Sequence, residues 1–189
     1  MRQSLQQLSS RDLRLRAGPS WKRGFTLLEL LAVIGVIAIL TSIVIAVGQS
    51  ATEKGRIARA RAELAVLASA LESYKTVQGD YPRTIDSAHL LQALIGRRGP
   101  NQEAITGRAQ IETARFAVSA DPFVQESAVL LDPWGQPYRY AYRVLPGWTN
   151  PSYVLASAGP DETGTATLLS GGFPDVAAPG NADNVYANR

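Results

Sequence analysis

The feature that constrains this chain most is a long apolar run from Phe25 to Val47, in which Glu29 is the only charged residue. A helix of about 23 residues, rising about 1.5 Å per residue, is about 34 Å long and can cross a bilayer. A carboxylate inside lipid costs on the order of 2.5–3.5 kcal/mol when it has no partner. We therefore expect the function of the chain to provide a partner for Glu29.

A basic segment precedes the apolar run. Residues 1–24 carry six basic side chains and one acidic side chain, whereas the remaining residues carry 13 basic and 15 acidic ones. The net charge of +3 therefore comes from this segment alone, and the charge of the rest of the chain gives no support to nucleic-acid binding. Four basic residues follow the run closely, so the positive-inside rule favours a cytoplasmic N-terminus only narrowly.

The sequence Gly24-Phe25-Thr26-Leu27-Leu28-Glu29 resembles the processing site of type IV prepilins and type II secretion pseudopilins. The resemblance implies that a prepilin peptidase cuts between Gly24 and Phe25 and methylates the new amine. Residues 1–24 would then be a leader that is removed, and residues 25–48 a transmembrane and assembly helix. In this family the acid at the position of Glu29 is thought to pair with the amine of a neighbouring subunit. Two alternatives are an ordinary membrane anchor and a secretory signal peptide, although a signal peptide has a shorter apolar region.

The helix is predicted to continue well beyond the apolar run. From residue 49 to residue 78, apolar residues recur at spacings of three and four, which is typical of a helix with one buried face. Gly79, followed by Asp80-Tyr81-Pro82, is a suitable stop signal. We therefore predict one helix of about 50 residues whose second half packs on a sheet. The predicted buried stripe is Ile57, Ala60, Leu64, Leu67, Leu71 and Tyr74.

The remainder of the chain indicates a small α+β domain with a pilin-like long helix on an antiparallel sheet. Asp86 or Ser87 can cap a short helix over residues 89–95. We expect residues 96–101 to form an exposed loop after it. Residues 102–116 show weak helical periodicity. Residues 138–144 alternate tyrosine with other side chains, and residues 152–157 are largely apolar. These two segments predict an antiparallel pair of strands. The tyrosine and arginine alternation is typical of a half-buried strand rather than of a nucleic-acid platform.

Further motifs narrow the resemblance to the major pseudopilins of type II secretion. They are Tyr74-Lys75, Gly79 to Pro82, Asp132 to Tyr138 and Ser157 to Asp161. The resemblance implies a single-pass inner-membrane protein with residues 49–189 in the periplasm. It also implies a filament built from this chain and other pseudopilins, and an inner-membrane secretion platform as a partner. Residues 102–126 are interpreted as an insertion or a divergent loop.

The same resemblance implies a calcium site near the C-terminus. Its expected ligands are Asp161, Asp183 and the carbonyl of Ala158, since calcium takes six to eight oxygen ligands. The alternative is a polar tail without an ion.

The sequence gives little support to catalysis. The chain has no cysteine and one histidine, His89, and neither a catalytic triad nor a glycine-rich phosphate loop is recognisable. We therefore predict a structural subunit rather than an enzyme. Two filaments remain open within the resemblance, a type II secretion pseudopilus and a type IV pilus for adhesion, motility or DNA uptake. The absence of cysteine and the turn motifs favour the pseudopilus.

Overall fold

The computed structural model describes residues 24–162 and 167–187, and the side chains of residues 43–49 are not part of that description. The predicted leader, up to residue 23, lies outside the described residues. The chain divides into two compact units, Met1–Ile45 and Ala46–Arg189, the second of which we call the globular unit. Over the described residues, no helix combines the length and the apolar character needed to cross a membrane.

Helix α1 spans Leu27–Gln78, 52 residues, which confirms the predicted long helix. It ends at Gly79, whose φ of +86° lies in the left-handed region that favours glycine. The Gly79 amide donates to the Lys75 carbonyl at 2.8 Å, as expected for a helix end. The predicted stripe is also confirmed within the globular unit, because five of its six members are almost completely buried: Ala60, Leu64, Leu67, Leu71 and Tyr74.

Helix α2 spans Ser87–Leu94, and the Asp86 carboxylate caps it by accepting the Ala88 amide at 2.8 Å. The predicted helix is therefore confirmed, although it starts two residues earlier. The prediction of an exposed loop over residues 96–101 is partly wrong, because Gly96 and Gly99 are buried. A Cβ atom on Gly96 would lie 2.5 Å from the Gly107 carbonyl oxygen, so this loop is packed against the segment that follows it.

Residues 102–116 do not form the weakly predicted helix. They run as irregular backbone, with one 3₁₀ turn over Thr113–Arg115. An isolated bridge pairs Arg98 with Ala104, and the Ile105 amide donates to the Arg97 carbonyl at 3.0 Å. Backbone groups of this segment therefore pair across the loop rather than along a helix.

The described residues form two small antiparallel sheets. Strands β1 (Ala117–Val118) and β2 (Leu130–Leu131) form one. Strands β3 (Arg139–Ala141), β4 (Val154–Ser157) and β5 (Val185–Tyr186) form the other in the order β3-β4-β5. The predicted strand pair is confirmed in register Tyr140 to Leu155. The two-residue strands were not predicted, because they are too short to show alternation.

A cluster of tyrosines fixes the turn after α1 on the three-stranded sheet. The Tyr81 ring packs edge-on against the rings of Tyr142 and Tyr153, with centroids 5.1 and 4.9 Å apart. The Tyr142 hydroxyl donates to Asp80 at 2.8 Å, and Arg83 forms an ion pair with the same carboxylate at 2.8 Å. Burial alone would raise the pKa of Asp80, but the hydrogen bonds from Arg83, Tyr142 and the Tyr81 amide, together with the charge of Arg143, outweigh it and lower the pKa.

Candidate functional site

The start of α1 presents the predicted processing and assembly residues to solvent. Gly24 and Phe25 precede the helix, and 78% of Phe25 is exposed. A Cβ atom on Gly24 would meet nothing within 4 Å, so the fold itself does not require glycine there. The large apolar side chains that follow on the helix are exposed as well: Leu27, Leu28, Leu30, Leu31, Val33, Ile34, Val36, Ile37, Ile39 and Leu40.

Glu29 is held in a reciprocal capping box with Thr26. The Thr26 amide and the Thr26 hydroxyl both donate to Glu29 Oε2 at 3.2 Å. The Glu29 amide in turn donates to the Thr26 hydroxyl oxygen at 3.1 Å. Each residue therefore satisfies a backbone donor that the first turn of a helix leaves unpaired. The carboxylate also lies near the positive end of the helix dipole.

Thr26 is a site residue that the sequence interpretation missed. Its signal was present, because Thr26-Leu27-Leu28-Glu29 is a Ser/Thr-x-x-Glu pattern directly before an apolar run. Glu29 was interpreted from the sequence as an acid near a helix N-terminus that pairs with an ammonium group, and Thr26 was not considered as its partner. The structure adds that the acid already has a partner within its own chain, three residues away.

The turn over Asp132 to Gln136 is organised by its first residue. Asp132 Oδ1 accepts the amides of Trp134 and Gln136 at 3.0 and 2.9 Å. Gly135 adopts a φ of +86°, which explains the glycine in the motif. The second oxygen, Oδ2, accepts the buried hydroxyl of Ser157 at 2.6 Å. This turn is therefore connected directly to the end of β4.

Two glutamates of α1 attach the helix to the same turn. The Trp134 indole donates to Glu53 at 3.1 Å, and the Tyr138 hydroxyl donates to Glu63 at 2.6 Å. Arg59 forms an ion pair with Glu63 at 2.7 Å. Burial raises the pKa of Tyr138, and the hydrogen bond to Glu63 raises it further, so the hydroxyl remains a donor. These bonds fix the second half of α1 to the rest of the globular unit.

Two of the predicted calcium ligands, Asp161 and Asp183, come into contact after the end of β4. The Asp161 amide donates to Asp183 Oδ2 at 2.8 Å across 22 residues of sequence. Ala158, three residues before Asp161 in the chain, is buried. Gly159 has a φ of +76°, and a Cβ atom there would lie 2.4 Å from the Asp183 carbonyl oxygen. Only glycine therefore permits this close approach of the two segments.

Two buried oxygen atoms in this region have no hydrogen-bond partner in the described part of the chain. They are Asp183 Oδ1 and Asn184 Oδ1. Both residues line an open cavity of about 620 Å³. A buried polar atom without a partner is costly and requires an explanation such as an ion or water. Among residues 24–162 and 167–187, however, no three His, Cys, Asp or Glu side chains form a group suited to a metal ion.

The C-terminal tail is also held by one asparagine. The buried Asn181 side chain donates to the carbonyls of Thr167 and Asp175 at 3.0 and 2.7 Å. Its oxygen accepts the Asn184 side-chain amide at 3.0 Å and the Thr167 amide at 3.3 Å. One amide group thus connects three parts of the tail. Sequence interpretation missed it, because a single asparagine in a polar tail carries no distinctive pattern.

The chain matches two models of known protein families. The family model described as "Type II secretion system (T2SS), protein G" matches residues 49–169. A second model, described as "Prokaryotic N-terminal methylation motif", matches residues 22–45 and so includes the capping box.

Two curated relatives carry the same name, type II secretion system core protein G. The one from Pseudomonas aeruginosa is 30% identical over 161 residues, which are 85% of this chain and 95% of the relative. The one from Escherichia coli K12 is 32% identical over 145 residues, which are 76% of this chain and 86% of the relative. No solved structure gives a significant match.

Proposed function

Because the chain belongs to the type II secretion system protein G family, we propose that it is a structural subunit of the secretion pseudopilus and polymerises through the start of α1. Cleavage between Gly24 and Phe25 by a prepilin peptidase precedes assembly. The first unit anchors the subunit in the inner membrane, and the globular unit lies in the periplasm. The partners are further copies, other pseudopilins and the inner-membrane platform, and the role involves no catalysis.

The capping box is the observation that carries the assembly role. Thr26 holds Glu29 by one oxygen, Oε2, so Oε1 remains available to a cation in another chain. Cleavage after Gly24 creates an ammonium group at Phe25, one residue from Thr26. A carboxylate held at the first turn is therefore ready to meet the equivalent ammonium of a neighbouring subunit. Pairing would neutralise both charges in a water-poor surrounding.

Mass spectrometry of the protein extracted from membranes tests the processing step. We expect a methylated Phe25 at the N-terminus and no uncut chain when the peptidase is present. Gly24→Val should leave the chain uncut, because the peptidase requires a small residue there, whereas the fold has room for a Cβ atom. An uncut wild-type chain in the presence of the peptidase would overturn the proposal.

A matched pair of variants tests the contribution of Thr26. Thr26→Ser keeps the hydroxyl that bonds Glu29, whereas Thr26→Val has nearly the same shape without it. Losing an N-cap costs about 1 kcal/mol, so assembly should be weakened in Thr26→Val and near normal in Thr26→Ser. Equal assembly by both variants would contradict a role for the hydroxyl.

We propose in addition that calcium binds at the end of β4. The two buried oxygens without partners, Asp183 Oδ1 and Asn184 Oδ1, are hard ligands of the kind that calcium prefers. Asp161 and the Ala158 carbonyl lie in the adjoining turn. The ion would neutralise the carboxylates of the two segments, which are already joined by the hydrogen bond from the Asp161 amide to Asp183.

Melting the protein in calcium and in a chelator tests this second proposal. A ligand at about 100 times its Kd adds about 2.7 kcal/mol to the free energy of unfolding. We therefore expect a higher Tm in calcium, and we expect Asp183→Asn to remove the difference. Asp175→Asn is the control, because Asp175 lies in the tail but outside the cavity lining. Identical wild-type melting in both buffers would reject the calcium proposal and leave the assembly role intact.

A further inference from the structure

Helix α1 carries a group of exposed basic side chains soon after the apolar run. The group consists of Lys54, Arg56, Arg59 and Arg61. Basic residues on both sides of an apolar run weaken the charge difference that orients the run in a membrane. These cations therefore act against the orientation that the rest of the sequence favours, so we expect them to have a role that compensates for this cost.

The fold uses the acids of this segment but not all of its cations. Glu53 and Glu63 accept hydrogen bonds from aromatic side chains of the globular unit at 3.1 and 2.6 Å. Glu63 also forms the ion pair with Arg59 at 2.7 Å. Among the ion pairs that the described residues form, none includes the other three cations of the segment: Lys54, Arg56 and Arg61. Their charges are therefore available to an anion outside the chain.

Two of these three cations lie within reach of a membrane surface. Lys54 and Arg56 follow Val47, where the apolar run ends, by seven and nine residues, which correspond to about 10 and 14 Å of helix. The headgroup layer extends about 5–7 Å beyond the hydrocarbon core. Long basic side chains on a helix lean toward its N-terminus, which brings their charged ends closer to the headgroups. Arg61 lies about 21 Å beyond Val47, which is too far for such a contact.

Lys54 and Arg56 lie on either side of Gly55, which is exposed. Glu53 and Ile57, each two residues from Gly55 and therefore on the nearly opposite side of the helix, contact the globular unit. A Cβ atom on Gly55 would meet nothing within 4 Å, so packing does not explain a glycine that weakens a helix interior. The uncovered backbone at Gly55 lets a headgroup come close to the helix between the two cations.

We infer that Lys54 and Arg56 bind the phosphate groups of anionic phospholipids at the periplasmic surface of the inner membrane. Lysine and arginine form strong, charge-assisted hydrogen bonds with phosphate. The inference rests on the proposed function, which places the apolar run in this membrane. A lipid is favoured over an acidic protein because headgroups surround a helix that leaves a bilayer on every side that the globular unit leaves open. The contact holds the subunit at a fixed depth until it enters the filament.

Native mass spectrometry of the full-length protein tests this inference. The protein is released from nanodiscs that contain equal amounts of phosphatidylglycerol and phosphatidylcholine, in a buffer with a chelator so that no calcium bridges protein and lipid. We expect the wild type to retain phosphatidylglycerol in preference to phosphatidylcholine. Lys54→Gln and Arg56→Gln should each lower the ratio of the two retained lipids by about fivefold, the contribution of one basic residue at an anionic surface.

Two further variants serve as matched controls. Arg61→Gln removes an exposed cation of the same helix that lines the cavity beside Asp183, and it should keep the wild-type ratio. The double variant Lys54→Arg/Arg56→Lys keeps both charges and should also keep that ratio. The leader has six basic side chains of its own, but it is the same in all variants and does not affect their differences. The Tm should stay unchanged throughout, because no ion pair of the described residues is lost.

The outcomes separate this inference from the proposed function. A wild-type chain that a carbonate wash releases from membranes would contradict the proposed anchor, and the lipid contact would fall with it. A firmly anchored chain whose lipid ratio is the same in wild type and in Lys54→Gln/Arg56→Gln would overturn the lipid contact alone. An equal loss in Arg61→Gln would show that the binding is not specific to residues 54 and 56. Unchanged lipid retention with reduced export in the double glutamine variant would also overturn the inference and indicate an acidic protein as the partner.

Discussion

The two ends of α1 differ in whether their apolar side chains are buried. In the first unit, described side chains from Phe25 to Leu40 remain exposed, whereas in the globular unit Leu64, Leu67 and Leu71 are completely buried. One helix therefore carries an apolar face that its own chain covers and another that it leaves uncovered. The uncovered part is the one that needs lipid or other subunits.

The two glutamates nearest these faces show the same difference. Glu29 bonds Thr26, three residues away, whereas Glu63 bonds the hydroxyl of Tyr138, 75 residues away. A bond between residues three apart requires only the first turn of α1, so the Glu29 carboxylate is not committed to one tertiary fold. The bond of Glu63 exists only when the globular unit is folded. The first glutamate is therefore free to serve assembly, and the second stabilises the subunit.

Replacing Glu29 should have the largest effect, and that effect should fall on filament assembly rather than on the stability of the globular unit. If Glu29 pairs with the ammonium group of a neighbouring subunit, as proposed, Glu29→Ala leaves that buried ammonium without its partner, which costs about 3–5 kcal/mol. We expect filament assembly and export to be lost while the Tm of the globular unit stays unchanged. Filaments are counted after shearing, and cleavage is checked by mass spectrometry.

Glu29→Gln separates the effect of the charge of Glu29 from the effect of its hydrogen bonds to Thr26. Its amide oxygen can still accept the bonds from Thr26, but it carries no charge. Loss of assembly in both variants would show that the charge is required. Normal assembly of Glu29→Gln would contradict pairing with an ammonium group and leave only the cap.

Replacing a buried leucine should affect the other end of α1. Leu71→Ala removes a completely buried side chain and should lower the free energy of unfolding by about 2–5 kcal/mol. Val77→Ala, exposed on the same helix, should change it by less than about 0.5 kcal/mol. Urea unfolding of a fragment that starts at Gln49 measures both. Equal effects would show that the fragment does not retain this core.

The sequence predicts the elements with long periodic patterns. Helix α1 and the pairing of β3 with β4 were predicted, because spacing and alternation extend over enough residues to be recognised. The irregular course of residues 102–116 was not predicted. Its backbone pairs with distant groups, such as Ile105 with Arg97, and local propensity says nothing about such contacts.

The candidate site was predictable in part. The Gly24-Phe25 pair and Glu29 belong to a contiguous motif, and the T-x-x-E pattern contained Thr26 as well. The approach of Asp161 to Asp183 depends instead on Gly159 and on β5 pairing with β4. Such a contact between separate segments follows from tertiary structure, and the resemblance to a family suggested it where the sequence pattern did not.

Removing the Asn181 side chain should loosen the tail without reaching the rest of the globular unit. Asn181→Ala removes two side-chain hydrogen bonds, to the carbonyls of Thr167 and Asp175, and although each carbonyl keeps a backbone donor, the loss of the two bonds costs about 1–3 kcal/mol. We expect faster amide hydrogen exchange over residues 167–187 and unchanged exchange in α2. Asn101→Ala, at an exposed loop position, is the control. Unchanged exchange in the tail would show that the asparagine does not hold it.

The smallest expected effect concerns pH and the turn after α1. The folded-state pKa of Asp80 is lowered, since its hydrogen bonds, chiefly those from Arg83 and Tyr142, and the nearby charge of Arg143 together outweigh its burial. A carboxyl group with a lowered folded pKa contributes stability that is fully present above its unfolded pKa of about 3.9. That contribution is lost as the pH falls through the folded pKa. Asp80→Asn should therefore lower the free energy of unfolding by about 1 kcal/mol at pH 7, and the difference from the wild type should shrink below about pH 4.

Glu112→Gln is the control, because its ion pair with Arg115 is exposed on both sides and should contribute little at any pH. Urea unfolding between pH 3 and 7 measures both variants, and a constant difference for Asp80→Asn across that range would show that the charge of Asp80 does not stabilise the turn.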